Sequence, residues 1–327
     1  MDSLTLHGAN PENLFRALNA KVPRKIIDFS TNTNILAWPK INLDLEALAS
    51  SYPDPDCSQL RLLIAQREHI TPSRILFTNG TNEAIFLLSQ LFSQDTAILQ
   101  PAYTEYSRAF RNLHDVFSLE DAGRFRQFII VNPNNPTGKF IPNLAKTIAA
   151  NPNTTFIIDE AYRDFLLRAK PERLCDFPNT IILRSLTKIF HLSGTRIGYV
   201  IAPEDLITSL KARQPSWSVN AIAQELARQF LSDESFTLRT RELYRRLTPA
   251  FVQDLRNSGL DVMDSDVHFF LVRVDDDLRV IKHLLARGIA VRHTRNFTGL
   301  GTDKNYIRIA TKNQSDNKIF VEAIADL

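Results

Sequence analysis

Lys188 closes the run Ser185-Leu186-Thr187-Lys188, just past the apolar stretch Ile181-Ile182-Leu183. A lysine beyond a strand's carboxyl end sits where open α/β sheets bind ligands. Ser185 and Arg196, the latter in Gly194-Thr195-Arg196-Ile197-Gly198-Tyr199, can both reach a phosphate, one by hydroxyl and one by fixed charge. Asp159-Glu160-Ala161-Tyr162 ends a second apolar stretch, Phe156-Ile157-Ile158. A carboxylate there can hold a protonated pyridine nitrogen and keep such a ring an electron sink. Upstream, Asn132-Pro133-Asn134-Asn135-Pro136-Thr137-Gly138 is a dense turn signal whose X-Pro bonds allow rigid or cis geometry. Each stretch alone has a plainer reading: a surface lysine, a helix cap, a turn. Ser-x-x-Lys also occurs in serine β-lactamases, but the chain has no Lys-Thr-Gly partner for it.

The elements around these residues read as a layered α/β fold. Ala97 to Leu99, Phe128 to Val131, Phe156 to Ile158, Ile181 to Leu183 and Ile197 to Ala202 are short apolar runs separated by loops and helices. That pattern predicts a mainly parallel sheet covered on both faces. A helix is expected over 81–93, with Thr81 and Asn82 as its caps. After Pro203 the texture changes: 204–257 is strongly helical. A strand at 267–273, a helix at 277–287, strands at 289–293 and 306–311 and a helix at 315–326 follow. The expected division is a large domain, 25–205, a smaller α+β domain, 206–327, and an N-terminal segment, 1–24, joining the latter.

Composition sets the bounds. The 327 residues are 44% hydrophobic and 23% charged, ordinary for a globular chain that needs no disulfide or metal staple. The net charge of +3 is too small a surplus to argue for nucleic acid. Cys57 and Cys175 stand in no metal-binding spacing and read as reduced thiols. The opening residues lack a basic stretch followed by an apolar one, and no apolar run approaches the roughly 20 residues that span a bilayer. A cytoplasmic location is the expectation. No GxGxxG follows a strand, which argues against a dinucleotide enzyme.

Taken together and in order, the three chemical stretches resemble fold-type I pyridoxal 5′-phosphate (PLP) enzymes of the class I/II aminotransferase group. The resemblance runs over essentially the whole chain. It implies Lys188 as the Schiff-base lysine and proton carrier, Asp159 on the pyridine nitrogen, and Asn135 and Tyr162 on the ring's phenolic oxygen. It places the cofactor phosphate on Gly80-Thr81-Asn82 at a helix start, with Ser185 and Arg196 completing the cradle. Tyr103 matches the aromatic that stacks on the ring, and Tyr52, in Tyr52-Pro53-Asp54-Pro55, one that reaches the phosphate of a neighbouring subunit in a homodimer. Arg308 matches the arginine that clamps a substrate carboxylate, a fork that lysine imitates poorly.

Two subfamilies fit, threonine-phosphate decarboxylases of cobalamin biosynthesis and histidinol-phosphate aminotransferases. The opening Leu6-His7-Gly8-Ala9-Asn10 and the run Asp28-Phe29-Ser30-Thr31-Asn32-Thr33-Asn34 resemble the decarboxylases more closely. That resemblance assigns His7, Gly8, Asn32 and Arg292 to substrate contacts, with Arg295 as a rival for Arg292. Ala9 departs from a His-Gly-Gly pattern, Ile35 stands where proline is usual, and the chain is short around 114–127. The implied reaction is decarboxylation of O-phospho-L-threonine or O-phospho-L-serine, with transamination of histidinol phosphate as the alternative. A PLP-binding module without turnover is the reading of a different class.

Overall fold

The computed structural model describes residues 8–92, 94–300 and 305–327. After the two-residue strand β1 (Ile27–Asp28), seven strands build the main sheet. They are β2 (Ile75–Thr78), β3 (Thr96–Leu99), β4 (Leu113–Val116), β5 (Gln127–Val131), β6 (Thr155–Asp159), β7 (Thr180–Ser185) and β8 (Gly198–Ile201). Their spatial order is β2-β8-β7-β6-β5-β3-β4. Five neighbours run parallel, whereas β8 is antiparallel to both β7 and β2. Continuous apolar runs form the central strands because both faces are covered. Phe128, Ile130, Phe156, Ile158 and Ile182 point into one hydrophobic cluster, shared with helices Ser58–Glu68 and Ala221–Ser232. Ile129, Val131, Ile157, Ile181 and Leu183 alternate into another, under helices Gly80–Leu91 and Glu204–Lys211.

A second sheet, antiparallel, has the order β12-β13-β10-β9. Its strands are β9 (Asp261–Val262), β10 (Phe269–Val274), β12 (Arg292–His293) and β13 (Asn305–Ala310). Between them, β11 (Ile289–Ala290) pairs in parallel with β1. A third cluster gathers Phe251, Phe270, Ile281 and Phe320 with Leu14, Phe15 and Phe29 from the chain's beginning. Burying such rings contributes roughly 1.5–3 kcal/mol each.

Several expectations need correction. The single strand predicted at 289–293 is two, because Val291 separates a pair made with β1 from a pair made with β13. The stretch 204–257 breaks at 212–220, where Asn220 accepts a bond from Ala223 N at 2.8 Å and restarts the helix. Thr81 and Asn82 do not cap the helix predicted over 81–93. It runs Gly80–Leu91 with Asn79 at the cap position, and the Asn79 side chain makes no capping hydrogen bond. Strand 267–273 begins at Phe269, since Ser265 Oγ accepts from Val267 N and donates to Phe269 O, holding a bend.

Candidate active site

The carboxyl ends of β5, β6 and β7 lie side by side, paired through Val131–Asp159 and Asp159–Leu183. The sheet thereby brings Asn132–Gly138, Asp159–Tyr162 and Ser185–Lys188 to one edge, where such sheets bind ligands. Above them is a cavity of about 490 Å³. Lys188, Asp159, Tyr162, Asn135 and Ser185 line it from these three strands. Thr81, Asn82, Tyr103 and Arg196 also line it, as do Gly8, Asn32, Arg292 and Arg308. Gly80, at φ +72°, lies against Arg196: a Cβ there would stand 2.6 Å from Nη2. A larger groove, about 970 Å³ beside Thr248 and Arg256, holds no comparable convergence, so chemistry rather than volume picks the site.

Asp159 is 3% exposed and accepts from Tyr106 OH at 3.1 Å and Ala161 N at 3.0 Å. Burial outweighs these donors and raises its carboxyl to about 6. Lys188, held by Asn34 N donating to its carbonyl at 3.0 Å, is affected in the opposite sense. Burial, then the Arg308 and Arg196 guanidinium groups, lowers its ammonium to about 8. Tyr103 donates to Asn82 Oδ1 at 3.2 Å, and burial pushes its phenol up to about 12. Burial likewise pushes Tyr162 upward. Asn32 touches that phenol loosely, and its own amide nitrogen is buried without a well-formed hydrogen bond among the described residues.

Arg308 donates to Asn135 Oδ1 at 2.5 Å and Ser30 O at 2.8 Å, with its guanidinium over the Phe269 ring. Arg292 donates to Asn296 Oδ1 at 2.7 Å and lies over Phe297. Burial, then nearby Arg308, lowers Arg292 to about 9. The two arginines are direct partners across β12 and β13. Arg295 does not line the cavity and is bonded to both oxygens of Asp277, at 2.8 and 2.5 Å.

Gly8 and Asn10 also line the cavity, and Ala9 N donates to Ser30 Oγ at 3.1 Å. His7 lies outside the described residues. Tyr52 is 82% exposed, its ring tilted against Trp217 with centroids 4.8 Å apart, and this chain's own cavity does not include it. Sequence reasoning missed Tyr106 and Phe297. Tyr106 closes the same run, Pro101 to Tyr106, that carries Tyr103, which is a usable signal. Phe297 had none. A Ser-Asp-Asn run, Ser315–Asn317, is present beside the Ser-x-x-Lys, but it lies at the start of helix Gln314–Ala325 and does not line the cavity.

Residues 117–324 match the family model of aminotransferase class I and II. A histidinol-phosphate aminotransferase of Caldicellulosiruptor saccharolyticus is 29% identical over 93% of this chain and 92% of its own. The crystal structure of L-threonine-O-3-phosphate decarboxylase from Porphyromonas gingivalis superposes with a TM-score of 0.79 at 28% identity. That superposition covers 92% of this chain and 99% of the other. The adenosylcobalamin biosynthesis bifunctional protein CobDQ of Leptospira interrogans is 28% identical over 99% of this chain, which spans only 41% of that longer protein. Lys188, Asp159, Ser185 and Arg196 thus fall within a match that covers well over half the sequence, and the chain belongs to the aminotransferase class I and II family.

Proposed function

We propose that the chain decarboxylates O-phospho-L-threonine or O-phospho-L-serine to the aminoalkyl phosphate, a step of cobalamin side-chain synthesis, as a homodimer. The cofactor is PLP, and the residues present fit it. The open first turn of helix Gly80–Leu91, with Arg196 packed against Gly80, suits a phosphate dianion. Asp159, buried and hard to ionise alone, suits a protonated ring nitrogen, which would restore its charge. Lys188, with its ammonium lowered to about 8, is neutral near pH 7 far more often than an ordinary lysine and can bond covalently to an aldehyde. When bound, PLP supplies an electron sink for the charge left at the substrate Cα.

The observation that carries the substrate reading is the arginine pair. Like charges opposite one another on adjacent strands repel, and both guanidinium groups are nearly inaccessible to solvent. A ligand bearing two anionic groups relieves both. A phospho-amino acid brings a carboxylate and a phosphate together; histidinol phosphate brings only the phosphate. In this reading Arg308 takes the carboxylate, and Arg292 with the Gly8–Asn10 segment takes the phosphate. Asn32 and Asn135 fix the orientation, which decides which Cα bond breaks. Lys188 then returns a proton to Cα. The decarboxylase structure and the bifunctional relative support this choice, and the histidinol-phosphate relative supports the alternative.

The test offers each phospho-amino acid, and separately histidinol phosphate with 2-oxoglutarate, to one preparation. CO₂ release that needs no keto acid is the expected result. Glutamate from histidinol phosphate, with no CO₂ from either phospho-amino acid, would replace this reading. Borohydride should fix the cofactor on Lys188, and label on any other lysine overturns that assignment.

A further inference from the structure

Five consecutive backbone carbonyls, Ser30 to Asn34, each accept a hydrogen bond from a different side chain. The donors are Arg308 to Ser30 at 2.8 Å and Lys312 to Thr31 at 2.8 Å, then His268 to Asn32 at 2.9 Å. Tyr244 to Thr33 at 3.4 Å and His191 to Asn34 at 2.5 Å complete the series. This run carries Asn32 along the cavity wall. Of the five donors, His268 is the most unusual. It is 0% exposed, lies between Phe165 (4.1 Å) and Tyr244 (4.6 Å), and its Nδ1 has no partner among the described residues.

A carbonyl can only accept, so Nε2 carries the proton and Nδ1 keeps a lone pair. Burial holds the ring neutral, at about 3, and the cations Lys312, Arg308 and Lys188 add to that effect. A buried nitrogen with nothing to bond is costly, and packing alone would favour a phenyl ring in this aromatic setting. The compensating interaction is the single bond to the Asn32 carbonyl, which sets the tilt of that residue's peptide and so the direction of its side chain. We propose that His268 is a positioning residue, fixing the Asn32 amide against the substrate by donating from Nε2 to the Asn32 carbonyl. It rests on the reading that this cavity takes a phosphorylated amino acid.

The test compares holoenzymes carrying His268→Phe, His268→Gln and His268→Asn with the parent. Glutamine places an N–H near the position of Nε2, asparagine near that of Nδ1, and phenylalanine neither. Binding of O-phospho-L-threonine is measured by calorimetry on borohydride-reduced enzyme, which cannot turn over, and amide exchange is followed across residues 30–34. Phe and Asn should each weaken binding by about tenfold and speed exchange there, while Gln stays within about threefold of the parent. The visible absorbance of the unreduced cofactor should be alike in all four. Parent-like binding by Phe, or equal losses in Gln and Asn, overturns the proposal. If the parent binds histidinol phosphate and not phosphothreonine, the substrate reading fails instead. The same four-way comparison with that ligand still decides the role of His268.

Discussion

Tyr106 OH donates to Asp159 Oδ2 at 3.1 Å, so the carboxylate at the end of β6 is held from helix Glu105–Ala109 as well as by its own loop. Tyr106→Phe keeps the ring and removes the bond. A hydrogen bond to a charged acceptor contributes about 1.5–3 kcal/mol. PLP retention, followed by equilibrium dialysis, should therefore weaken by roughly ten- to a hundredfold. Unchanged retention would show that this bond does not serve the cofactor.

The same carboxylate makes the cofactor-free protein sensitive to pH. Asp159 ionises at 3.8 in its ordinary state and at about 6 when folded, so the fold holds an extra proton between these values. Its contribution to stability is fully present below 3.8 and is lost as pH rises through about 6. Asp159→Asn removes that loss. The cofactor-free variant should be more stable than the parent above pH 6 by about 1–3 kcal/mol, with the gap closing toward pH 4. Denaturant titrations across this range check it, and a gap independent of pH argues against the assignment.

Arg292→Gln separates the two anion sites. Binding of O-phospho-L-threonine should weaken by about 2–3 kcal/mol, the scale of a charge-assisted contact, whereas L-threonine should bind nearly as before. Arg308→Lys should weaken both ligands, since an ammonium cannot reproduce the fork. Equal effects of Arg292→Gln on the two ligands would remove Arg292 from the phosphate.

Ala9 has φ +70°, a left-handed conformation that costs a non-glycine residue roughly 1–2 kcal/mol. The departure from a His-Gly-Gly opening thus falls on a position whose backbone favours glycine. Ala9→Gly should stabilise the fold by about 0.5–1 kcal/mol once glycine's freedom in the unfolded chain is offset. An urea midpoint that falls instead would mean that the methyl group makes contacts outweighing the strain.

Tyr52 and Trp217 form an exposed aromatic pair outside this chain's own cavity. In the proposed homodimer Tyr52 serves the neighbouring site. Mixing inactive Lys188→Ala with an inactivating Tyr52 variant should then restore part of the activity, because hybrid dimers hold one intact site. A fully active monomer at assay concentration excludes the arrangement.

Sequence exposes what is encoded in side-chain types and hides what is encoded in backbone atoms. The central strands are legible because both faces are buried, which writes them as unbroken apolar runs. β4 is not, because it is an edge strand on which His114 and Asp115 face solvent. β2 is only four residues long and runs almost directly into helix Gly80–Leu91. Lys188, Asp159 and Arg308 are legible through the motifs around them. His268 is not, because its partner is a main-chain oxygen 236 residues away, and every residue type carries one. Arg292 and Arg295 are separated only by strand pairing and by Asp277, neither of which is visible in the three-residue spacing.

The helix Glu234–Asn257 enters two hydrophobic clusters: Phe236 and Tyr244 pack with the main sheet, Phe251 and Leu255 with the second, and Pro249 lies between. A rod shared by two cores cannot fray at one end without loosening the packing of one of them. Its amides should therefore exchange hydrogen only in openings that expose a whole core, placing this helix among the slowest segments of the chain. The interruption at Pro249, which lacks the N–H that would bond the Arg245 carbonyl, is where the two halves can part company. If the cores open separately, protection will step at that residue; if they open together, it will be level from end to end.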